Sequence, residues 1–564
     1  MNTYVVTLLD TTGIQSYIFN SNRLRENLGA SYLISQATGD VESEKDWIRS
    51  NLENPEIGVS QNKVYEPIDK SRLNAELVYA GGGNAMLLFK SIDIAKQFTK
   101  KLSRQILKQA PGLNLVAAHL EFDWDDDGSL KKKVKLLQEK LEKQKRSRIT
   151  SAPLLGLGVT ATCQSSQLPA VKTSEEYIEI NKDEEEDIYL ISRETEAKLR
   201  VVSSKHGEAR NEANQALKKK FKDVLNNTGY QFPYRMDHLG RTRDDNSYYA
   251  IVHADGNGMG ERFKKYVENS SGNRDYIRRI RKLSKSVDRA GLNSIKKVIQ
   301  TLINSISEGK VTGKFPIFTQ DNQSYLPFRP LVYGGDDVTF VCDGRLGLEL
   351  AAIFLKALQE PDLYLGDGQP MTACAGVCIV KSHYPFARAY ALSEALCNNA
   401  KMFVREQKNK WGQDFSAIDW HIAATGLLGT LGDIRQREYT VNRDDRLIMR
   451  PLLIDSKETQ DINQWRTWSN FINIIACFKG ERNKNEEECK MWMNKRNKII
   501  ALREKLRKGE REVKQFKIDY RIENLPSIKN GNNVNLTLKK GGWTEKHCGY
   551  FDAIEAMDFY FPLK

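Results

Sequence analysis

Two adjacent carboxylates at the tip of a glycine turn are the residues of this chain best placed to do chemistry. In Leu331-Val332-Tyr333-Gly334-Gly335-Asp336-Asp337-Val338-Thr339-Phe340-Val341, two apolar runs flank a Gly-Gly pair able to take the positive φ of a tight hairpin. Asp336 and Asp337 then stand where strand alternation breaks down, so both can reach one pocket. Mg²⁺ takes one or two protein carboxylates and leaves its other positions to water and phosphate oxygens. Such a tip therefore suits two Mg²⁺ or Mn²⁺ ions holding a nucleoside triphosphate. The bland alternative is a solvated turn, because Gly and Asp are ordinary turn residues.

A second motif lies upstream. Tyr248-Tyr249-Ala250-Ile251-Val252-His253-Ala254 reads as an apolar strand ending in Asp255, followed by Gly256-Asn257-Gly258-Met259-Gly260 and a helix expected from about Glu261. Asp255 stands at a strand's carboxyl end, where the amides of Gly256, Asn257 and Gly258 can approach phosphate oxygens. The glycine spacing, with no βαβ unit and acidic ribose partner after it, rules out a dinucleotide fingerprint. Three acidic side chains, Asp255, Asp336 and Asp337, are thus expected to converge.

The elements that must position them occur twice. Strand Tyr4–Leu9 ends in Asp10, and Thr11-Thr12-Gly13 leads into a helix expected over Ile14–Gln36. Val78–Phe89 repeats the hairpin, with Gly83 and Asn84 standing where Asp336 and Asp337 stand later. Each hairpin is followed by an amphipathic helix (Ile92–Leu107; Leu346–Leu358) and a strand (Leu113–Phe122; Met371–Val380), a βαββαβ order in both halves. The fold class expected is α+β: two ferredoxin-like palm domains facing each other, the first stripped of its carboxylates, with helical inter-palm and C-terminal regions.

Asp255-Gly256-Asn257-Gly258-Met259-Gly260 followed by Gly334-Gly335-Asp336-Asp337 resembles the catalytic palm of the polymerase-like large subunit of type III CRISPR effector complexes, a palm that diguanylate cyclases share more distantly. Asp10-Thr11-Thr12-Gly13-Ile14-Gln15-Ser16-Tyr17-Ile18-Phe19, with Leu28-Gly29-Ala30-Ser31-Tyr32-Leu33-Ile34-Ser35, resembles the degenerate first palm of that subunit. The resemblance covers the chain to about residue 405. It implies a nucleotidyltransferase that joins ATP into cyclic oligoadenylates, second messengers of antiviral defence, with Asp255, Asp336 and Asp337 holding the metals. It also implies that Lys401, ending a helix over Pro385–Lys401, grips triphosphate oxygens. The alternative for Lys401 is a surface lysine favoured by the helix dipole. The alternative function is an RNA-binding scaffold subunit, with RNA and other CRISPR-complex subunits as partners.

The departures from that family are specific. Asn257 occupies a place where the family often has another acidic residue. None of the seven histidines begins a His-Asp dipeptide and the chain starts on the first palm, so no HD nuclease is expected. Cys163-Gln164-Ser165-Ser166 falls where a Cys-x-x-Cys zinc pair is common, and Cys374 and Cys378 sit on an apolar strand that reads as core. No structural zinc is expected.

Composition agrees with a chain of 564 residues and about four domains. A net charge of +13 favours polyanions. Part of it lies on Lys131–Arg146, where Val134, Leu137 and Leu141 form a stripe beneath a basic face, and part on Lys495–Lys517. Trp465, Trp468, Trp492 and Trp543 read as core or interface, and Tyr550–Phe561 as a segment that docks back on the body or on a partner. Eight scattered cysteines suggest reduced thiols, and without a long apolar run a cytoplasmic protein with no membrane contact is expected. The domains expected are a degenerate first palm at 1–124, an inter-palm helical region at 125–244 that includes an acidic turn over Lys182–Asp187, a catalytic second palm at 245–425 and a helical C-terminal domain at 426–564, after the loop Gly426–Gly432.

Overall fold

The computed structural model describes residues 2–39, 45–147, 158–178, 188–203, 205, 211–239, 247–320, 322–423, 429–442, 444–456, 459, 462–481, 487–529 and 532–564. The acidic turn Lys182–Asp187, the boundary at 244 and residues 426–428 of the glycine loop lie outside these. The fold is α+β and is built around two four-stranded ferredoxin-like sheets, the second of them extended.

In the first half, strand β1 (Thr3–Thr12) is flanked on both sides and on both faces, which is why its apolar residues run on instead of alternating. It leads into helices α1 (Ile14–Phe19) and α2 (Leu24–Thr38). The single helix expected over Ile14–Gln36 is broken because Ser21 and Asn22 favour a turn; the Ser21 hydroxyl accepts from the Arg23 amide at 3.0 Å. Strands β2 (Ala75–Gly81) and β3 (Asn84–Phe89) form the hairpin, whose turn glycines Gly82 and Gly83 have φ of 60° and 86°. Helix α3 (Ile92–Gln109), capped by Ser91, precedes strand β4 (Asn114–Asp123), and the sheet order is β2-β3-β1-β4. Helix α4 (Ser129–Ser147) buries Leu130, Val134, Leu137 and Leu141 against Val6, Leu8 and Val116 of this sheet, so the stripe expected there is a packing face. Beyond it, helix α5 (Arg193–Arg200) packs against α2.

The second half repeats the plan. Strand β5 (Tyr248–Gly256) is followed by helix α6 (Met259–Glu268) and the long helix α7 (Asn273–Asn304). The hairpin is β6 (Phe328–Gly334) and β7 (Asp337–Asp343), and helix α8 (Gly347–Ala357) connects it to β8 (Ala373–Lys381). Helix α9 (Phe386–Trp411) then crosses over to β9 (Ala417–Ala423), which runs parallel to β8, and β10 (Leu452–Leu453) closes the order β6-β7-β5-β8-β9-β10.

The palms face each other through α1, α2, α9 and β6. Phe19 stacks on Tyr390 at 3.8 Å between ring centroids, and the Ser31 hydroxyl donates to the Leu331 carbonyl. The C-terminal part carries helices over Trp468–Lys479, Arg496–Leu506, Glu510–Asp519, Asn532–Gly541 and Phe551–Ala556. It also has a small sheet of two-residue strands, joined in the order Thr440–Val441, Asp445–Arg446, His547–Cys548, Trp543–Thr544. Its core is continuous with that of the second palm, and Trp465, Trp468, Trp492 and Trp543 are all buried in it. The C-terminal segment docks back through Asp552, which pairs with Arg450 at 2.6 Å, both side chains fully buried. The expectation of free thiols throughout fails at one pair, since Cys477 and Cys489 form a disulfide; Cys163, Cys342, Cys374, Cys378, Cys397 and Cys548 are free and buried.

Candidate active site at the inter-palm cleft

Register decides which carboxylates meet. Asp337 pairs directly with Asp255 across β7 and β5, and cross-strand partners present their side chains on one face. Asp336 lies one residue earlier and packs on the other side, against Gly256, where a Cβ would come within 2.8 Å of its own Cβ. The Gly256 amide donates to the Asp336 carbonyl at 3.1 Å. Gly256 is thus required by close approach of the hairpin tip. Among the described residues no group of three or more His, Cys, Asp or Glu side chains could hold a metal, yet Asp336, in the turn before β7, and Asp337 both feel the charge of Asp255.

The electrostatics still favour a cation. Burial, then the charges of Asp255, Asp336 and Glu394, push the Asp337 carboxyl up to about 8, against the pull of Lys401. Burial and Asp255 likewise raise Asp336. Asp337 Oδ1 is shut away with no hydrogen-bond partner although its side chain as a whole is 42% exposed. Its nearest basic neighbour, His253 Nδ1 at 3.4 Å, is held neutral by burial, which lowers the ring to about 4. An orphaned carboxylate oxygen beside two further carboxylates fits a divalent ion that needs only one or two protein ligands.

Lys401 reaches the site. Its Nζ donates to Asp255 Oδ2 at 2.5 Å and to the Gly256 carbonyl at 3.1 Å. Helix α9 runs ten residues past it to Trp411, so Lys401 is interior to the helix and the end-of-helix account does not apply. Its turn of α9 is fixed by Asn399, which donates to Asp419 Oδ2 of β9 at 2.7 Å. Asn257 is tied down: its amide nitrogen donates to the Phe415 carbonyl at 2.9 Å and to Thr372 Oγ1 at 3.3 Å. A carboxylate could make neither donation, which accounts for the departure at this position. Gly258, at φ 62°, opens α6, and Gly335, at φ 75°, makes the hairpin turn; Gly334 pairs with Asp337.

Sequence reasoning missed the first palm's own version of the Lys–Asp contact. Lys145 Nζ, on α4, sits 2.6 Å from Asp10 Oδ2, as Lys401 sits on Asp255. The matching placement of Asp10 and Asp255 at strand ends was legible, but Lys145 stood among several lysines of a basic helix. It also missed α7: a Cβ at Gly291 would come within 2.7 Å of the Gly335 carbonyl, and Cβ atoms at Gly81 and Gly335 would lie 3.4 and 3.7 Å from Asp288. The i, i+3 spacing of Asp288 and Gly291 was the available signal. A side chain at Gly83 is disfavoured in the first palm by its φ of 86°, which L residues rarely adopt, and would also have to displace the tip of Ile14. Between the two hairpins opens a cavity of about 560 Å³, lined by Thr11, Gly13, Ser35 and Gly81–Gly83 on one side and by Tyr333, Gly334 and Asp337 on the other.

These features place a strand-end aspartate opposite a Gly-Gly-Asp-Asp hairpin on a ferredoxin-like sheet. Residues 248–411 match the model of the Cas10/Cmr2 second palm domain. No curated protein matches the chain in sequence. Among solved structures it is similar to Csm1 from T. onnurineus, at 13% identity over 99% of this chain and 70% of that one, with a TM-score of 0.48. It is also similar to the Csm1–Csm4 cassette in complex with cA4 (11% identity, 99% and 70%, TM-score 0.47) and with one ATP (12%, 99% and 70%, 0.47). Among the described residues no helix is long and apolar enough to cross a membrane.

Proposed function

We propose that this chain is a metal-dependent nucleotidyltransferase that joins ATP into cyclic oligoadenylates, with Asp255, Asp336 and Asp337 as metal-holding residues. The observation that carries the reading is the Asp255–Asp337 register pair, with Lys401 on Asp255 and Asp337 lining the inter-palm cavity. Asp255, Asp336 and Asp337 would hold divalent ions, which would supply acidification of a ribose 3′-hydroxyl and neutralisation of departing pyrophosphate. Asp337 offers its unpartnered oxygen to a cation. Lys401, whose Nζ donates to Asp255 Oδ2 and the Gly256 carbonyl, would bind triphosphate oxygens. The side-chain-free surface of Gly81–Gly83 lets a second nucleotide approach from the first palm, where Lys145 stands on Asp10 as Lys401 does on Asp255. By the same reading the protein works with partner subunits and RNA of a type III CRISPR complex.

The test is incubation of purified protein with ATP and Mg²⁺ or Mn²⁺, with products resolved by mass. Cyclic adenylate products are expected from the wild type and none from an Asp336→Ala, Asp337→Ala double variant. Lys401→Ala should lower the rate on the order of 10²-fold, the scale of losing one charge-stabilising donor. A wild-type chain that turns over no ATP yet purifies with bound RNA would establish the scaffold alternative instead.

A further inference from the structure

Two short segments of the inter-palm region are brought together in a way the nucleotidyl-transfer reading does not use. Cys163-Gln164-Ser165-Ser166 and Ser192-Arg193-Glu194-Thr195 each place two side chains at i and i+3. Strand pairing of Lys172–Thr173 with Leu190–Ile191 sets the two segments side by side, and the Gln164 amide donates to the Leu190 carbonyl at 3.2 Å. Ser166 Oγ lies 2.9 Å from Ser192 Oγ, Ser192 Oγ donates to Thr195 Oγ1 at 3.3 Å, and Thr195 Oγ1 lies 3.3 Å from Cys163 Sγ. The Ser166 amide points back at Cys163 Sγ, 3.4 Å away, and the Thr195 amide at Ser192 Oγ, 3.3 Å away.

This is the geometry of two knuckles closing on a tetrahedral metal, each with its third amide turned to its first side-chain head. The chemistry has changed. A structural zinc site needs four thiolate or imidazole ligands, and here three of the four heads are neutral hydroxyls. Cys163, Ser192 and Thr195 are buried, so their polar heads need partners, and they find them in one another. Burial pushes the Cys163 thiol up, but hydrogen bonds from Ser166, Thr195 and Ser192 outweigh it and hold the group below its usual range.

We propose that Cys163, Ser166, Ser192 and Thr195 occupy the four ligand positions of a two-knuckle zinc site and form a hydrogen-bonded box that folds the region without metal, leaving a latent site that cysteines would restore. The box has a mechanical role. It caps α5 through Ser192, and its neighbours grip α2: buried Glu26 accepts from Ser165 Oγ at 2.8 Å and from the Tyr189 hydroxyl at 2.7 Å. The Lys198 backbone of α5 lies so close to α2 that a Cβ at Gly29 would stand 1.9 Å from the Lys198 carbonyl. Helix α2 in turn lines the inter-palm cavity through Ser31 and Ser35.

The experiment compares the full-length wild type, Cys163→Ser and the triple variant Ser166→Cys, Ser192→Cys, Thr195→Cys. Wild type should contain no stoichiometric zinc by elemental analysis, and its unfolding midpoint should not move when a chelator is added. Cys163→Ser should keep the wild-type midpoint, because a hydroxyl can take the thiol's place in the box, whereas a metal site would lose a ligand. The triple variant, refolded with Co²⁺, should show the intense absorption of tetrahedral cobalt thiolate. Stoichiometric zinc in the wild type, a midpoint that drops on chelation or with Cys163→Ser, or a folded triple variant without that absorption would each overturn the proposal.

Discussion

Gly376→Ala is the substitution whose outcome follows most directly from the packing. Gly376 lies in β8 where α9 crosses it, and a Cβ there would stand 2.0 Å from the Ser393 carbonyl, 2.5 Å from the Cys397 amide and 2.9 Å from Leu396 Cβ. Two of these are helix backbone, so no rotamer change relieves them. To reach ordinary contact, α9 must move away from the sheet by more than about 1 Å, an overpacking strain that costs about 1–3 kcal/mol. The same displacement carries Lys401 away from Asp255, to which it is 2.5 Å distant, because both sites lie on one rigid helix. Chemical denaturation with circular dichroism reads the stability. Gly260→Ala, in the first turn of α6 with no atom within 4 Å of the added Cβ, is the control and should be neutral or stabilising by up to about 1 kcal/mol. If Gly376→Ala unfolds at the same denaturant concentration as Gly260→Ala, the close approach of α9 to β8 is wrong, and so is the placement of Lys401 derived from it.

Other consequences are equally concrete. Arg450→Met strands Asp552, fully buried, beside Glu555 and should cost about 3–5 kcal/mol in denaturation midpoints; an unchanged midpoint would show that the buried pair does not hold the C-terminal segment. Asn257→Asp removes the donation to the Phe415 carbonyl and sets a charge against it, so a loss of about 1–3 kcal/mol is expected, and a variant of wild-type stability would refute the tether. The folded protein holds the Asp337 proton more tightly than the unfolded chain does. Its stabilising contribution is therefore complete below the ordinary value of 3.8 and is lost as pH rises through about 8. Denaturation in divalent-free buffer should show this decline, and Asp337→Asn should flatten it; an identical slope in both proteins would rule out the shift.

What could be read from the residues was whatever local chemistry dictates. The two glycine hairpins, the aspartates at strand ends and the repeated βαββαβ order were legible because fully buried strands are continuous apolar runs and tight turns demand glycine. That Asp337 pairs with Asp255 while Asp336 stays in the turn against Gly256 was not legible, since it depends on a register no spacing reveals. The break between α1 and α2 hid behind helical periodicity on either side of Ser21. The small C-terminal sheet has strands of two residues, too short to show any period. Lys145, Asp288 and Gly291 act across distances that only tertiary packing closes, and the Ser192–Thr195 half of the hydroxyl box was invisible because no cysteine marked it.

The inter-palm cavity takes one wall from each repeat, and both repeats belong to one polypeptide. A cleft built between two separate copies would come apart on dilution, its assembly governed by mass action. Here covalent continuity holds the halves at a fixed effective concentration, so the cleft persists at any protein level. Because Gly83 holds a φ of 86° that side chains rarely adopt, the tethered halves also stay unequal, and whatever enters the cleft meets a carboxylate-bearing wall at Asp337 and a glycine wall at Gly81–Gly83 in a constant orientation.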